Sequence, residues 1–141
     1  MTEQRRLTTV EKVLFLKTVD IFAHADIEEL GRIAGLMEEV RFASGETIYH
    51  EGETVEAIYV ILEGRAAVER NGKIMREAAQ KDVLGVLAAL DLYSALYTVA
   101  AREPIDALKL NVQDFQDVLS SDFQLVKAVF RVLAQRLRES A

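Results

Sequence analysis

Between Gly45 and Gly85 the chain reads G-E-T-I-Y-H-E-G-E, then A-I-Y-V-I-L-E-G-R, then N-G-K and D-V-L-G-V-L. Short apolar runs cut at intervals by turn-forming glycine describe a compact antiparallel β-roll. Asn71-Gly72 is the strongest turn signal, because a two-residue type I′ hairpin requires positive φ at both central positions. The segments Ala66–Arg70 and Lys73–Ala78 are therefore predicted to pair antiparallel across it. Upstream, the apolar period changes from 3.6 to 2 at Glu39, with Val40 and Phe42 alternating against Glu39 and Arg41 as far as a Ser44-Gly45 turn. Thr47–Tyr49 reads as a second strand, and 57–62 as a third with both faces covered. Pro104 stops a strand ending near Arg102, and 105–110 resumes as the last one.

Helices bracket the strands. Thr8 and Glu11 form a T-x-x-E capping box for a helix with Val10, Val13, Leu14 and Leu16 on one side. Asp26 and Glu29 repeat the device ahead of Ile27, Leu30, Ile33, Ala34 and Met37, with Gly31 and Gly35 either leaving room for close packing or weakening the helix. Asp20-Ile21-Phe22 forms a docking turn between the two. After the strands, Asn111 is placed to cap a helix carrying Val112, Phe115, Val118 and Leu119, and Ser121 to start the longest helix. There Val126, Phe130, Leu133 and Leu137 follow a four-three-four spacing, and Leu125, Val129 and Val132 widen the apolar stripe beyond one flat contact. This helix is expected to pack one face on the roll and the other on a second copy of the chain, making a homodimer.

Composition removes several functions. A formal net charge of −6 argues against a direct nucleic-acid surface, which needs a basic patch. The basic residues of the last helix, Lys127, Arg131, Arg136 and Arg138, read as solvated groups near a helix C-terminus. The absence of cysteine excludes disulfides and thiolate metal sites and fits a reducing, cytoplasmic setting. The N-terminus has no secretory pattern. Residues 83–101 approach a membrane span in length, but Asp91 falls in the middle at a cost of roughly 2.5 to 3.5 kcal/mol, so membrane insertion is not expected.

Chemistry-bearing clusters are few. His24 and His50 lack the number and spacing of a metal site, and Glu46, Glu51 and Glu53 read as a solvated acidic loop. Tyr49 and Tyr59 read as packing residues, while Tyr93 and Tyr97 fit packing and stacking on a ligand equally. The chain has no nucleophile elbow, no phosphate loop with lysine and no paired carboxylates tied to a base, so no enzyme is expected.

The order of helices, strands and helix resembles a cyclic-nucleotide-binding domain of the catabolite-activator-like kind. The resemblance spans residues 14 to 138 and rests on an ordered set. Its members are Phe22, the D-x-x-E-L of the second helix, Phe42, Gly45-Glu46, Ile48, Glu51-Gly52, Ile58-Tyr59-Val60-Ile61, Glu63-Gly64, Asp82, Gly85, Leu87 and Thr98-Val99. It implies a mainly β fold: an antiparallel eight-stranded β-roll of jelly-roll type with N-terminal helices and a long C-terminal helix. The whole of 1–141 is then one domain, with N-terminal helices at 7–38, the roll at 39–111 holding a ligand cassette at 82–101, and C-terminal helices at 112–138. In such a family the cassette holds a cyclic nucleotide, a glutamate accepts from the ribose hydroxyl, an arginine pairs the phosphate, and the last helix closes over the base. A fused or separate effector reads the shift of that helix.

Carried onto this chain, the ligand positions are Gly85, Val86, Leu87, Ala95, Leu96, Tyr97 and Thr98. Val86 stands where the pattern has glutamate, Ala95 where it has arginine, Ser94 where proline is common and Lys81 where glycine is usual. Residues 82–101 contain no lysine or arginine. Arg102 lies seven residues beyond Ala95, roughly 23 Å along an extended strand and on the opposite face, and counting does not place Arg76. The expectation is a regulatory module with no cofactor, which does not bind cyclic AMP or cyclic GMP in the family's way. Two alternatives stand beside each other: a sensor of a smaller or more apolar ligand, and a ligand-free scaffold that acts by dimerisation or protein docking.

Overall fold

A computed structural model describes residues 6–140. In chain order the elements are α1 (Thr9–Leu16), α2 (Ile27–Leu36), β1 (Glu38–Phe42), β2 (Thr47–Tyr49), β3 (Ala57–Glu63), β4 (Ala66–Arg70), β5 (Lys73–Ala78), β6 (Val83–Leu84), α3 (Val86–Asp91), β7 (Thr98–Ala101), β8 (Ile105–Asn111), α4 (Val112–Ser121) and α5 (Phe123–Glu139). They fall into two compact units, one of Met37–Gln116 and one joining the segment up to Leu36 with that from Asp117 onward.

In the first of these units eight strands make two four-stranded sheets, ordered β1-β8-β3-β6 and β2-β7-β4-β5. All the pairings are antiparallel, as the short glycine-separated runs require. Asn71 at φ 54° and Gly72 at φ 78° form the turn between β4 and β5. The pairing of Val68 with Arg76 and of Glu69 with Ile74 leaves Met75 as an extra residue, a bulge on an edge strand. Bulges of this kind twist an edge and make it a poor template for another strand. The interior of the roll is apolar, from Ile61, Val68, Leu84, Val99 and Ile105, with Phe42, Tyr49 and Tyr59 packed against it. These rings meet edge-on at 5.2 Å between Phe42 and Tyr59 and tilted at 5.7 Å between Tyr49 and Tyr59.

In the helical unit the capping box at Thr8 and Glu11 is complete. Leu16 is buried, whereas Val10 and Leu14 face solvent, so the apolar side read from the sequence is only partly covered. In α2 the Asp26 carboxylate accepts from the Glu29 N–H at 2.9 Å. Leu30, Ile33 and Ala34 are buried and Ile27 is not, and Met37, just past the end of α2, is also buried. The expected docking turn buries Ile21 and Phe22 and leaves Asp20 exposed.

One helix start agrees with the sequence reading and one differs. Asn111 ends β8 and stands immediately before α4, which begins at Val112 where the sequence places it. Ser121 ends α4, and the N-cap of α5 is Asp122, whose carboxylate accepts from the N–H groups of Gln124 and Leu125. The physical reason is a tertiary contact: Arg32 of α2 donates to the Ser121 hydroxyl at 2.7 Å while holding Glu29 at 2.6 Å. The Ser121 hydroxyl in turn donates to the Val118 carbonyl at 3.1 Å, so it is engaged within α4 and the neighbouring Asp122 takes the cap.

Candidate ligand-binding cassette

The cassette begins where β6 leaves the roll. Gly85 has φ +89°, a left-handed conformation open to glycine at little cost, and is the N-cap residue of α3. The preceding turn has the same character at Lys81, whose φ is +76°. The Lys81 N–H donates to the Ile61 carbonyl at 2.9 Å, and the Asp82 carboxylate accepts from the Ala79 N–H at 2.8 Å. A glycine at position 81 would take this backbone conformation without strain, which gives the family preference a physical reason.

Tyr49 supports the start of the cassette. Its hydroxyl donates to the Ala57 carbonyl at 2.5 Å and lies 3.2 Å from the Leu84 carbonyl, so one phenol joins the start of β3 to the end of β6. Burial pushes its pKa far above the ordinary phenol value, and burial raises that of Tyr59 as well, with Glu56 and Glu38 adding to it. Both phenols remain neutral at physiological pH.

The far end of the cassette is tied to the loop after β2. Ala95 donates its N–H to the Glu53 carbonyl at 2.7 Å and accepts from the Gly52 N–H at 2.8 Å. The Thr98 hydroxyl accepts from the Glu51 N–H at 3.0 Å, and the Glu51 carboxylate accepts from the Asn71 N–H at 3.1 Å. Thr54 and Ser94 form an isolated bridge. Behind α3, Gln116 donates to the Ala89 carbonyl at 2.9 Å. Sequence reasoning missed Tyr49 and Gln116 as supports. Glu51-Gly52 was visible as a family mark, whereas Gln116 carries no sequence signal.

The side chains divide into two groups. Val86, Ala88, Ala89 and Ala95 are buried, Val86 to 5% and Ala95 to 7% residual exposure. Leu87, Leu92, Tyr93 and Leu96 are exposed, and Leu92 adopts a left-handed φ of 62°. Tyr97 is half-buried against the core of the roll. Among the described residues no fully buried one is polar or charged. The seven positions that the resemblance implies for a ligand lie along one segment, tied to Tyr49 at its start and to residues 51–53 at its end. On α5, Val126 and Leu133 are half-buried while Phe130 and Leu137 are exposed, with Leu125, Ala128 and Val129 buried on the adjoining face.

Two antiparallel four-stranded sheets with a short helix inserted after a left-handed glycine define a β-roll with an inserted cassette. The family model for the cyclic nucleotide-binding domain matches residues 39–122, and the chain belongs to that family. An uncharacterized NTE family protein of Mycobacterium tuberculosis is 29% identical over 89% of this chain, which spans only 22% of that relative's length. Among solved structures, one is a regulatory subunit of a cAMP-independent protein kinase A from Trypanosoma brucei, determined as a triple mutant bound to cAMP. It is 26% identical over 88% of this chain and 46% of its own, with a TM-score of 0.78. The N-terminal domain of a transcriptional regulator from Streptomyces coelicolor A3(2) is 27% identical over 89% of this chain and 91% of its own, with a TM-score of 0.73. No helix among the described residues is long and apolar enough to cross a membrane.

Proposed function

We propose that this chain is a regulatory module of the cyclic nucleotide-binding family that lacks the charged clamp for cyclic AMP or cyclic GMP and acts through its C-terminal helix. The observation that carries this reading is the pair Val86 and Ala95. Where the family resemblance places a ribose acceptor and a phosphate cation, this chain has apolar side chains exposed by only 5% and 7%. An anion entering beside them loses its water and gains no counter-charge. Loss of one partner of a buried charge pair costs about 2 to 5 kcal/mol, or about 1.5 to 3.5 decades of affinity. The Trypanosoma brucei relative lends support, because it is described as cAMP-independent and its cAMP-bound form carries three substitutions, one of which introduces an arginine.

Output passes through α5. Its buried side, Leu125, Ala128 and Val129, is distinct from the Val126, Phe130, Leu133 and Leu137 side, and the latter keeps Phe130 and Leu137 in solvent. That second side is the surface for another copy of the chain, and a fused or separate effector reads the position of the helix. The module itself catalyses no reaction in this reading.

Calorimetric titration with cyclic AMP and cyclic GMP tests the cassette. The unmodified chain is expected to give no saturable heat at low micromolar ligand, and the Val86→Glu, Ala95→Arg double variant to gain measurable affinity. Saturable heat from the unmodified chain overturns the reading and returns the module to the cyclic-nucleotide sensors.

A further inference from the structure

On α5, Ala128, Arg131, Val132, Gln135, Arg136 and Glu139 recur at helical spacing and share one face. That face and the turn between α1 and α2, with Asp20, Ala23 and His24, bound a cleft of about 420 Å³. The volume lies within the range of small-molecule sites. The turn is held in place by Lys17, whose ammonium donates to the Ala25 carbonyl at 2.9 Å and approaches the Ala23 carbonyl at 3.4 Å.

Ala23, Ala128 and Val132 supply apolar lining, and the polar groups around them are unevenly satisfied. Gln135 donates to the Glu139 carboxylate at 3.1 Å. The Arg136 guanidinium stands 3.9 Å from the Asp20 carboxylate, beyond hydrogen-bond length. The side chains of Arg131 and His24 make no hydrogen bond or ion pair with any described residue. At about 1.5 Å per residue, Glu139 sits about 12 Å along the helix from Arg131 and does not neutralise it. One end of the cleft therefore presents an unmatched cation next to apolar surface. The whole lining, with two arginines against two carboxylates, has no surplus charge for a dianion.

We propose that this cleft binds a small monocarboxylate with an apolar tail. The carboxylate sits on the planar fork of Arg131, with the His24 imidazole as a second donor, and the tail covers Ala23, Ala128 and Val132. A ligand touching both walls favours the arrangement in which α5 stands against the α1–α2 turn, giving the module a second means of setting its output helix. The proposal does not depend on what the cassette binds.

The experiment is an NMR titration of the full chain with octanoate, with octanol as the same tail without the charge. Expected are saturable amide shifts at Ala23, Ala128 and Val132 with octanoate, and much weaker ones with octanol. Arg131→Gln should weaken octanoate binding about tenfold or more, as loss of a charged hydrogen-bond partner does, and Arg131→Lys should retain part of it. Arg131 is exposed, so these variants are expected to fold, and unchanged thermal melts verify it. The proposal is overturned by absence of saturation at millimolar octanoate, by equal binding of octanol, by unchanged binding in Arg131→Gln, or by shifts centred on another part of the chain.

Discussion

The Tyr49 hydroxyl lies in the space that a β-carbon on Gly85 would occupy. Gly85 is thus fixed for two independent reasons, its φ of +89° and the phenol beneath it. Gly85→Ala is expected to destabilise the fold by about 2 to 4 kcal/mol, from backbone strain together with overpacking. Tyr49→Phe alone should cost about 1 kcal/mol, because it leaves the Ala57 carbonyl without its donor. The double variant should be less destabilised than the sum by about 0.5 kcal/mol or more, since removing the hydroxyl relieves part of the clash. Urea unfolding of the four proteins measures this coupling, and strict additivity would show that the contact does not exist.

The same phenol sets a pH dependence. Its folded pKa is raised above the ordinary 10.0 by burial, so the neutral form is favoured in the native state. The sign follows from linkage: this stabilisation is complete below the unfolded pKa and is lost as pH rises above it towards the folded value. Urea midpoints should fall between about pH 9 and about pH 11, and the fall should be shallower in Tyr49→Phe. Tyr59 contributes in the same direction, which leaves a residual slope.

Gly35 lies inside α2, and a β-carbon there would meet nothing within 4 Å. Close packing therefore does not require it, and its effect on the helix is entropic. Gly35→Ala should stabilise the protein by about 0.5 to 1 kcal/mol, read as a rise in the urea midpoint with an unchanged slope. Gly31, equally open, should respond alike.

The roll was legible because its turns are encoded locally. Gly45, Gly52, Gly72 and Gly85 all take positive φ, and Asn71 joins Gly72 in the geometry that its residue pair requires. What could not be read was set from a distance. Ser121 is as plausible a cap as Asp122 until Arg32, far away in sequence, claims its hydroxyl. The bulge at Met75 has no local signature, because it arises from how two strands pair. Tyr49 has the sequence appearance of a packing residue, and its role appears only with the Gly85 backbone and the Ala57 and Leu84 carbonyls around it. In the cassette, the replacements at positions 86 and 95 were visible in the sequence. The backbone bonds that hold Ala95 to Gly52 and Glu53 were not.

Self-association through α5 is the remaining consequence to measure. Phe130 is 66% exposed and Leu137 71%, two turns apart on a helix whose adjoining face is already buried through Leu125 and Val129. Large apolar side chains repeated along one stripe lose little by meeting the same stripe on another copy, and each such pair removes from water surface worth roughly 25 cal/mol per Å². Sedimentation at tens of micromolar should therefore show a dimer. Phe130→Glu should shift it to monomer by placing two carboxylates in the seam, while leaving the melting behaviour of the dissociated chain nearly unchanged, because the substituted side chain is exposed within each copy. A single monomeric species for the unmodified chain at these concentrations would overturn the dimer.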